Sequence, residues 1–285
     1  MKYDTVHGKY PGVVSYGKSF IQIDGNKIPV FGEHEPEKLP WKKLKVDVVI
    51  ECTGKFLTTE LAQKHLKAGA KKVVLSAPAR SNEIKTIVLG VNDKDIKKTD
   101  IIISNASCTT NCFAPMVMLL DKYLGIKHGY MVTVHAYTSD QRIHDGTHDD
   151  YRRGRAAALN MVPTSTGSAK AVEEVLPKLK GKLHASAIRV PVADGSLTYF
   201  TCEVKKKLSA EKVNSIFKKE ATKMKGILQY SDEPLVSSDI IGNPYSCIFD
   251  SLLTEKDGDL IKVVAWYDNE WGYSNRVIDL VKKLM

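Results

Sequence analysis

Cys108 stands in the run Ser107-Cys108-Thr109-Thr110-Asn111-Cys112, just after the apolar Ile101-Ile102-Ile103 and the small polar Ser104-Asn105-Ala106. A strand, a turn and a helix start in that order put its sulfur at a helix N-terminus. Unpaired N–H groups and the positive end of the helix dipole favour an anion there, so the position is expected to depress the thiol pKa and supply thiolate near neutral pH. A buried, inert cysteine is the alternative, and Cys112, one helical turn on, keeps that reading. Zinc held by this pair is not expected, because no second Cys or His pair at metal spacing accompanies it. A thiolate nucleophile needs a proton partner, and of eight histidines His135 stands out: it ends the apolar strand Met131-Val132-Thr133-Val134 at the mouth of a long loop. A satisfied core histidine is the competing reading. Thr164-Ser165-Thr166-Gly167-Ser168 gathers hydroxyls, a glycine and free N–H groups at one helix start, which makes either an anion seat or a plain N-cap. Arg152, Arg153 and Arg155 in the loop, and Arg189 near Pro191 at a strand end, could supply bidentate forks for phosphate or could simply be solvated. In combination these groups describe covalent chemistry at a thiol on a phosphorylated small molecule.

Two kinds of element must position them. Before residue 107 short β-branched runs recur at 20–23, 27–30, 46–51, 73–76, 86–90 and 101–104, the first two joined by the hairpin signal Asp24-Gly25-Asn26. Between the runs at 46–51 and 73–76 lies a helical stretch, 58–68, with Leu61, Ala62, His65 and Leu66 on one face and Gly69 as its stop. A strand, helix, strand unit of this kind implies a parallel pair with a right-handed crossover. After residue 107 the pattern changes to helices at 108–123, 168–179, 210–224 and 274–284, and strands at 130–137, 184–192, 197–204, 246–252 and 260–266. The expected architecture is α/β followed by α+β: a doubly wound nucleotide-type sheet, then a mostly antiparallel sheet with helices on one face. Residues 138–165 show no convincing element, and loops of that length inside a compact fold are usually functional.

The composition is that of an ordinary globular protein. A chain of 285 residues is about twice the ~150 typical of one domain, and 43% hydrophobic with 26% charged residues excludes disorder. Five cysteines without a hydrophobic signal core argue for free thiols in a reducing compartment. The longest apolar stretch, 113–120, is far below the ~20 residues that span a bilayer, so a cytoplasmic protein is expected. The net charge of +9 favours anionic partners. Much of it lies in Lys pairs without an aromatic ladder, read as solvated surface, so no specific nucleic acid and no membrane partner is expected.

The run 107–112 resembles that of phosphorylating glyceraldehyde-3-phosphate dehydrogenases. The likeness continues, in family order, through His135-Ala136-Tyr137-Thr138, Arg152-Arg153-Gly154-Arg155-Ala156-Ala157-Ala158, Pro163-Thr164-Ser165-Thr166-Gly167, Arg189-Val190-Pro191 and Trp266-Tyr267-Asp268-Asn269-Glu270. The resemblance implies that Cys108 attacks the aldehyde of glyceraldehyde 3-phosphate while His135 takes the proton. Hydride then passes to NAD, and inorganic phosphate cleaves the thioester. It further implies Thr138 and Arg189 on the substrate phosphate, with Ser107, Thr109, Arg153, Thr166 and Gly167 serving the attacking phosphate and its surroundings. Thr53, Gly54, Phe56, Ser76 and Asn269 match cofactor-contacting positions. A homotetramer is implied, as is a division into 1–107 for the nucleotide, 108–272 for catalysis and a C-terminal helix, 273–285, packing back on the first part.

Two departures from the family pattern bear on these expectations. No two glycines here are separated by a single residue, so the G-x-G fingerprint of a dinucleotide turn occurs nowhere. The chain is accordingly expected to lack the family's first βαβ unit, which would leave the strand at 46–51 with an unpaired edge and weaken NAD binding. Gly146-Thr147 also stands where NAD-preferring relatives usually carry Leu-Pro, leaving NAD and NADP both open as cofactor. An erythrose-4-phosphate dehydrogenase is the alternative within the family. An incomplete subunit that serves only in binding or assembly is the alternative outside it.

Overall fold

The computed structural model describes residues 2–285. Asp24 and Gly25 both take left-handed φ, 48° and 83°, the mirror-image turn that suits the twist of a two-residue hairpin. That turn joins β2 (Phe20–Ile23) to β3 (Asn26–Pro29), and β1 (Val14–Gly17) pairs antiparallel on the other side of β2. After the short α1 (Trp41–Leu44) comes the parallel unit: β4 (Val48–Glu51), α2 (Thr59–Lys67) and β5 (Lys72–Leu75). The Thr58 side chain caps α2 by accepting from the Leu61 N–H at 3.3 Å. Gly69, φ +107°, closes the unit where any Cβ would lie 2.5 Å from Lys42. β6 (Lys85–Thr86) and β7 (Ile102–Ser104) complete a four-stranded parallel sheet in the order β4-β5-β7-β6. Among the described residues β4 is an edge of that sheet.

The remaining elements are α3 (Cys108–Leu124), β8 (Ile126–Ala136), β9 (Val162–Thr164), α4 (Ser168–Val175), β10 (Leu183–Val190), β11 (Ser196–Val204), α5 (Ala210–Ala221), β12 (Leu228–Ser231), β13 (Cys247–Asp257), β14 (Leu260–Tyr267) and α6 (Trp271–Leu284). Their seven strands form one mixed sheet in the order β12-β13-β14-β11-β8-β10-β9, with antiparallel pairing except β12 with β13 and β8 with β10. α3 is apolar nearly all round because it runs through the middle of the core. Its Phe113 meets Phe200 edge to face at 4.9 Å, while Phe217 of α5 stacks on Phe249 of β13 at 3.9 Å. α6 turns its Val277, Leu280 and Leu284 onto Val74 and Ile103 of the parallel sheet and onto Ile87 just after β6.

Three local expectations change. The helix expected over 168–179 stops at Leu176, which has φ −127° and ψ 71°. Pro177 disfavours helical geometry in the residue before it and starts a separate 3-10 turn, Pro177–Leu179. The strand expected over 86–90 contracts to Lys85–Thr86, since Asn92 folds back to bind both the Val88 N–H and the Thr86 carbonyl. The long loop is not bare: it holds a 3-10 turn, Ala157–Leu159, and β9 on the outer edge of β10. Among the described residues no helix is long and apolar enough to cross a membrane.

Candidate active site

The turn between β7 and α3 is held under strain. Ala106 has φ 57°, a left-handed conformation that costs a non-glycine residue roughly 1–2 kcal/mol. Neighbours compensate: the Ser104 hydroxyl accepts the Ala106 N–H at 3.0 Å, and the Tyr273 hydroxyl donates to the Ala106 carbonyl at 2.9 Å. The Asn111 side-chain amide donates to the carbonyls of Asn105 and Ser107 at 2.8 and 3.0 Å. Ser107 is the N-cap of α3, accepting the Thr110 N–H at 3.1 Å. Cys108 therefore opens the helix, partly buried, with its Sγ 3.5 Å from His135 Nε2.

His135 comes from the other side, near the end of β8. Its Nδ1 lies 2.7 Å from the Ala136 carbonyl, an acceptor that only an N–H can satisfy. The shorter contact to that carbonyl favours the neutral ring with its proton on Nδ1 and a lone pair on Nε2 facing the thiol, although the Arg189 guanidinium also reaches the same oxygen. Arg189, paired with His135 across β10 and β8, places Nη1 3.1 Å from that same carbonyl, 3.4 Å from Thr138 Oγ1 and 3.0 Å from His135 Nδ1. Among the described residues its Nε, which is buried, has no partner, a donor available to an anion. Tyr267 lies edge-on to the imidazole at 5.9 Å. Its hydroxyl sits in a relay: Thr109 to Tyr267 at 2.9 Å, Tyr267 to Thr133 at 2.8 Å, and Thr133 to the Leu197 carbonyl at 3.1 Å.

Burial dominates the electrostatics. The Cys108 thiol is pushed up to about 11, first by desolvation, with the Arg189 charge and hydrogen bonds from Thr109 working in the opposite direction. The His135 imidazole is pushed down to about 3, again first by desolvation and then by the Arg189 cation. The expected depressed thiol pKa is thus reversed in the ligand-free chain: the helix N-terminus is present, but loss of water outweighs it. Each group is penalised for charging alone. Moving the proton from sulfur to imidazole creates opposite charges 3.5 Å apart, an attraction of about 5 kcal/mol at an effective dielectric of ~20.

These shifts set a pH dependence of stability. Unfolded His135 protonates below its ordinary 6.5 while the folded ring stays neutral to about 3. In that window the unfolded chain holds the extra proton, so stability falls with falling pH by up to ~1.4 kcal/mol per unit. Cys108 acts at the other end: unfolded it ionises from about 9, folded only near about 11, so stability falls as pH rises between them. Urea midpoints between pH 7 and pH 5 should drop less in His135→Gln than in the parent chain. An identical drop would show that His135 is not buried neutral.

Arg153 donates to Asp140 at 2.6 Å, Thr164 Oγ1 at 2.9 Å and the Ser165 carbonyl at 3.0 Å, so its fork ties the loop to β9. Its charge still acts on His135 and Arg189. Thr166 and Ser168 share a hydroxyl contact of 2.9 Å, and Gly167 is the residue before α4. Arg155, paired with Asp145, is exposed. Thr53, Gly54 and Phe56 lie in the loop after β4, and Ser76 follows β5, at the carboxyl ends of parallel strands where such sheets take ligands. Thr53 is bound through both its N–H and its hydroxyl to the buried Glu51, which also meets His65 at 3.1 Å.

Asn269 tests whether a nicotinamide cofactor fits. Its carbonyl oxygen accepts from Ser196 Oγ at 2.6 Å, and Ser196 accepts the Ala136 N–H at 3.0 Å, which ties it to the end of the His135 strand. Its Nδ2 is buried with no partner. A donor left in this state beside the thiol–imidazole pair fits the carbonyl of a carboxamide. Sequence reading passed over Asn105, Ala106, Tyr267 and Tyr273 as supports of the site. The Tyr267 and Tyr273 side chains reach it from β14 and α6, and nothing in local periodicity marks them.

A parallel sheet joined to a mixed sheet, with a thiol and an imidazole meeting at the head of the central helix, defines a two-part α/β enzyme. Two family models match: one described as glyceraldehyde 3-phosphate dehydrogenase, C-terminal domain, over residues 107–269, and one described as its NAD binding domain, over residues 1–59. Glyceraldehyde-3-phosphate dehydrogenase of Mycobacterium avium is 54% identical over 99% of this chain and 84% of its own length. The protein of that name from Zymomonas mobilis is 51% identical over 99% of this chain and 85% of its own length. Glyceraldehyde-3-phosphate dehydrogenase 2 of Bacillus subtilis is 50% identical over 99% and 84% respectively. The chain belongs to the glyceraldehyde-3-phosphate dehydrogenase family of oxidoreductases.

Proposed function

We propose that the chain oxidises glyceraldehyde 3-phosphate with inorganic phosphate to 1,3-bisphosphoglycerate through a thioester on Cys108. The observation that carries this reading is the Cys108 sulfur 3.5 Å from a bare His135 Nε2, with the orphaned Arg189 Nε alongside. As sulfur adds to the aldehyde carbon, its proton moves to Nε2, and the imidazolium then donates to the developing alkoxide. NAD, when bound, supplies the hydride acceptor, and Thr53, Gly54, Phe56, Ser76 and Asn269 are the residues that would hold it. As hydride leaves the hemithioacetal, His135 Nε2 takes back the hydroxyl proton to give the thioester; phosphate oxygen then attacks its carbonyl carbon, the acyl phosphate departs, and the expelled sulfur regains its proton from the imidazolium.

Arg189 and Thr138 hold the substrate phosphate in this reading, and Ser107, Thr109, Arg153, Thr166 and Gly167 serve the attacking phosphate. The Thr109 hydroxyl lies 2.9 Å from the Tyr267 hydroxyl and 4.0 Å from the Cys108 sulfur, so it stands between the relay and the thiol. We also place the boundary between nucleotide and catalytic parts near residue 107, assign 273–285 to the nucleotide part on which α6 packs, and expect a cytoplasmic homotetramer. Turnover of the purified full chain on glyceraldehyde 3-phosphate should exceed that on erythrose 4-phosphate by at least about tenfold in kcat/KM. It should also require phosphate. The reverse preference would reassign the substrate, and phosphate-independent turnover would overturn the thioester phosphorolysis.

A further inference from the structure

Three side chains from distant parts of the chain meet beside the start of α6. His7 Nε2 lies 3.1 Å from Asp194 Oδ2 and 3.3 Å from Asp268 Oδ2, and the ligand atoms of the three residues all lie within 4.8 Å of one another. Both carboxylate side chains are closed to solvent, and the imidazole is 18% exposed. Asp268 is well supplied with donors: Oδ1 accepts the N–H groups of Glu270 and Trp271, and Oδ2 accepts that of Gly242. Asp194 is not. Its Oδ1 accepts the Gly195 N–H at 2.7 Å, while its Oδ2, buried and aimed into the cluster, has no hydrogen bond.

Burial, and then the Asp268 charge beside it, push the Asp194 carboxyl up to about 7, so with both carboxylates ionised the cluster is short of positive charge. Among the described residues His7 is the only ion-pair partner of either carboxylate, and a single Nε2 proton cannot serve both. Two buried carboxylates facing one imidazole are costly without a further positive charge. The spacing suits a metal ion: bonds of about 2.0–2.1 Å at tetrahedral angles separate donor atoms by roughly 3.3 Å. One imidazole nitrogen with two carboxylate oxygens is a donor set for zinc, whereas magnesium keeps its waters and avoids imidazole. Asp4 Oδ1 accepts the His7 backbone N–H at 2.8 Å and stands 3.9 Å from His7 Nδ1, a carboxylate near the ring without a direct bond to it.

We propose that His7, Asp194 and Asp268 form a divalent-cation site with a preference for Zn2+, completed by water in the fourth position. The ion ties the N-terminal segment to the β10–β11 loop and to the β14–α6 junction. Through Asp268 it holds the backbone next to Asn269, and through His7 it fixes a ring already 5.6 Å from Trp271. It acts as a staple, and no chemistry is assigned to it.

The thiol and imidazole of the catalytic pair could also take zinc, so the test uses the full chain carrying Cys108→Ser, with Co2+ as a coloured probe. One Co2+ per chain is expected, with visible bands of a four-coordinate nitrogen and oxygen site, no sulfur charge-transfer band, and displacement by Zn2+. Asp194→Asn in that background should weaken binding at least about tenfold. It should also raise the metal-free thermal midpoint, since one of two facing buried charges is gone. Should Asp194→Asn fail to fold, His7→Gln removes a ligand from the solvent side and should weaken Co2+ equally. Unchanged affinity in the variants, or no saturable binding at millimolar Co2+, overturns the site.

Discussion

Cys108→Ser is expected to lower turnover of glyceraldehyde 3-phosphate by at least ~10⁴-fold while leaving the fold intact. Serine occupies less space than cysteine and still caps nothing it did not cap before, because the N-cap is Ser107. What changes is the nucleophile. A hydroxyl is far less acidic than a thiol, and the burial that pushes the Cys108 thiol up acts on any anion at that position. An oxygen ester is also a poorer acyl donor to phosphate than a thioester, so both halves of the reaction suffer. Steady-state turnover, with circular dichroism to verify the fold, reads this out. Activity within about tenfold of the parent chain would remove Cys108 from the reaction.

His135→Asn should cost roughly 10²–10⁴-fold in kcat, with a smaller change in KM. Asparagine can still donate to the Ala136 carbonyl, but it offers no basic nitrogen to the sulfur. In the parent chain the proton has one route, across 3.5 Å to a lone pair aimed at it, and the ion pair so formed offsets part of the burial that opposes each charge alone. Without the imidazole the thiolate must form unaided in the same dry surroundings. Iodoacetamide labelling of Cys108 should accordingly slow at neutral pH in His135→Asn, while Cys52, the exposed thiol, labels as before. Equal labelling of Cys108 in both chains would show that His135 takes no part in deprotonation.

The approach of Cys108 to His135 was legible in the sequence because both lie at the ends of strongly patterned elements. The β-branched run before Ser104 and the apolar run from Phe113 fix a strand and a helix on either side of Cys108, and the apolar strand ending at His135 does the same for the imidazole. The ionisation state was not legible. A helix N-terminus is a local feature, whereas desolvation depends on Tyr267, Arg189 and other groups brought in from elsewhere. The relation of Glu51 to Thr53 and His65 escaped for the same reason. β1 was missed because two of its four side chains are exposed and show no apolar alternation. His7, Asp194 and Asp268 share no motif, and only the closure of β14 against the chain's first residues brings them together.

The hydroxyl relay from Thr109 through Tyr267 to Thr133 joins α3, β14 and β8 by contacts 158 and 134 residues apart in the chain, whereas sulfur and imidazole are separated by only 27. Cys108 and His135 could come near each other early on the folding pathway. The relay ties the head of α3 and the middle of β8 to β14, and contacts so distant in the chain form slowly. The surroundings of the thiol–imidazole pair therefore depend on the complete topology, not on the short segment that joins the two residues.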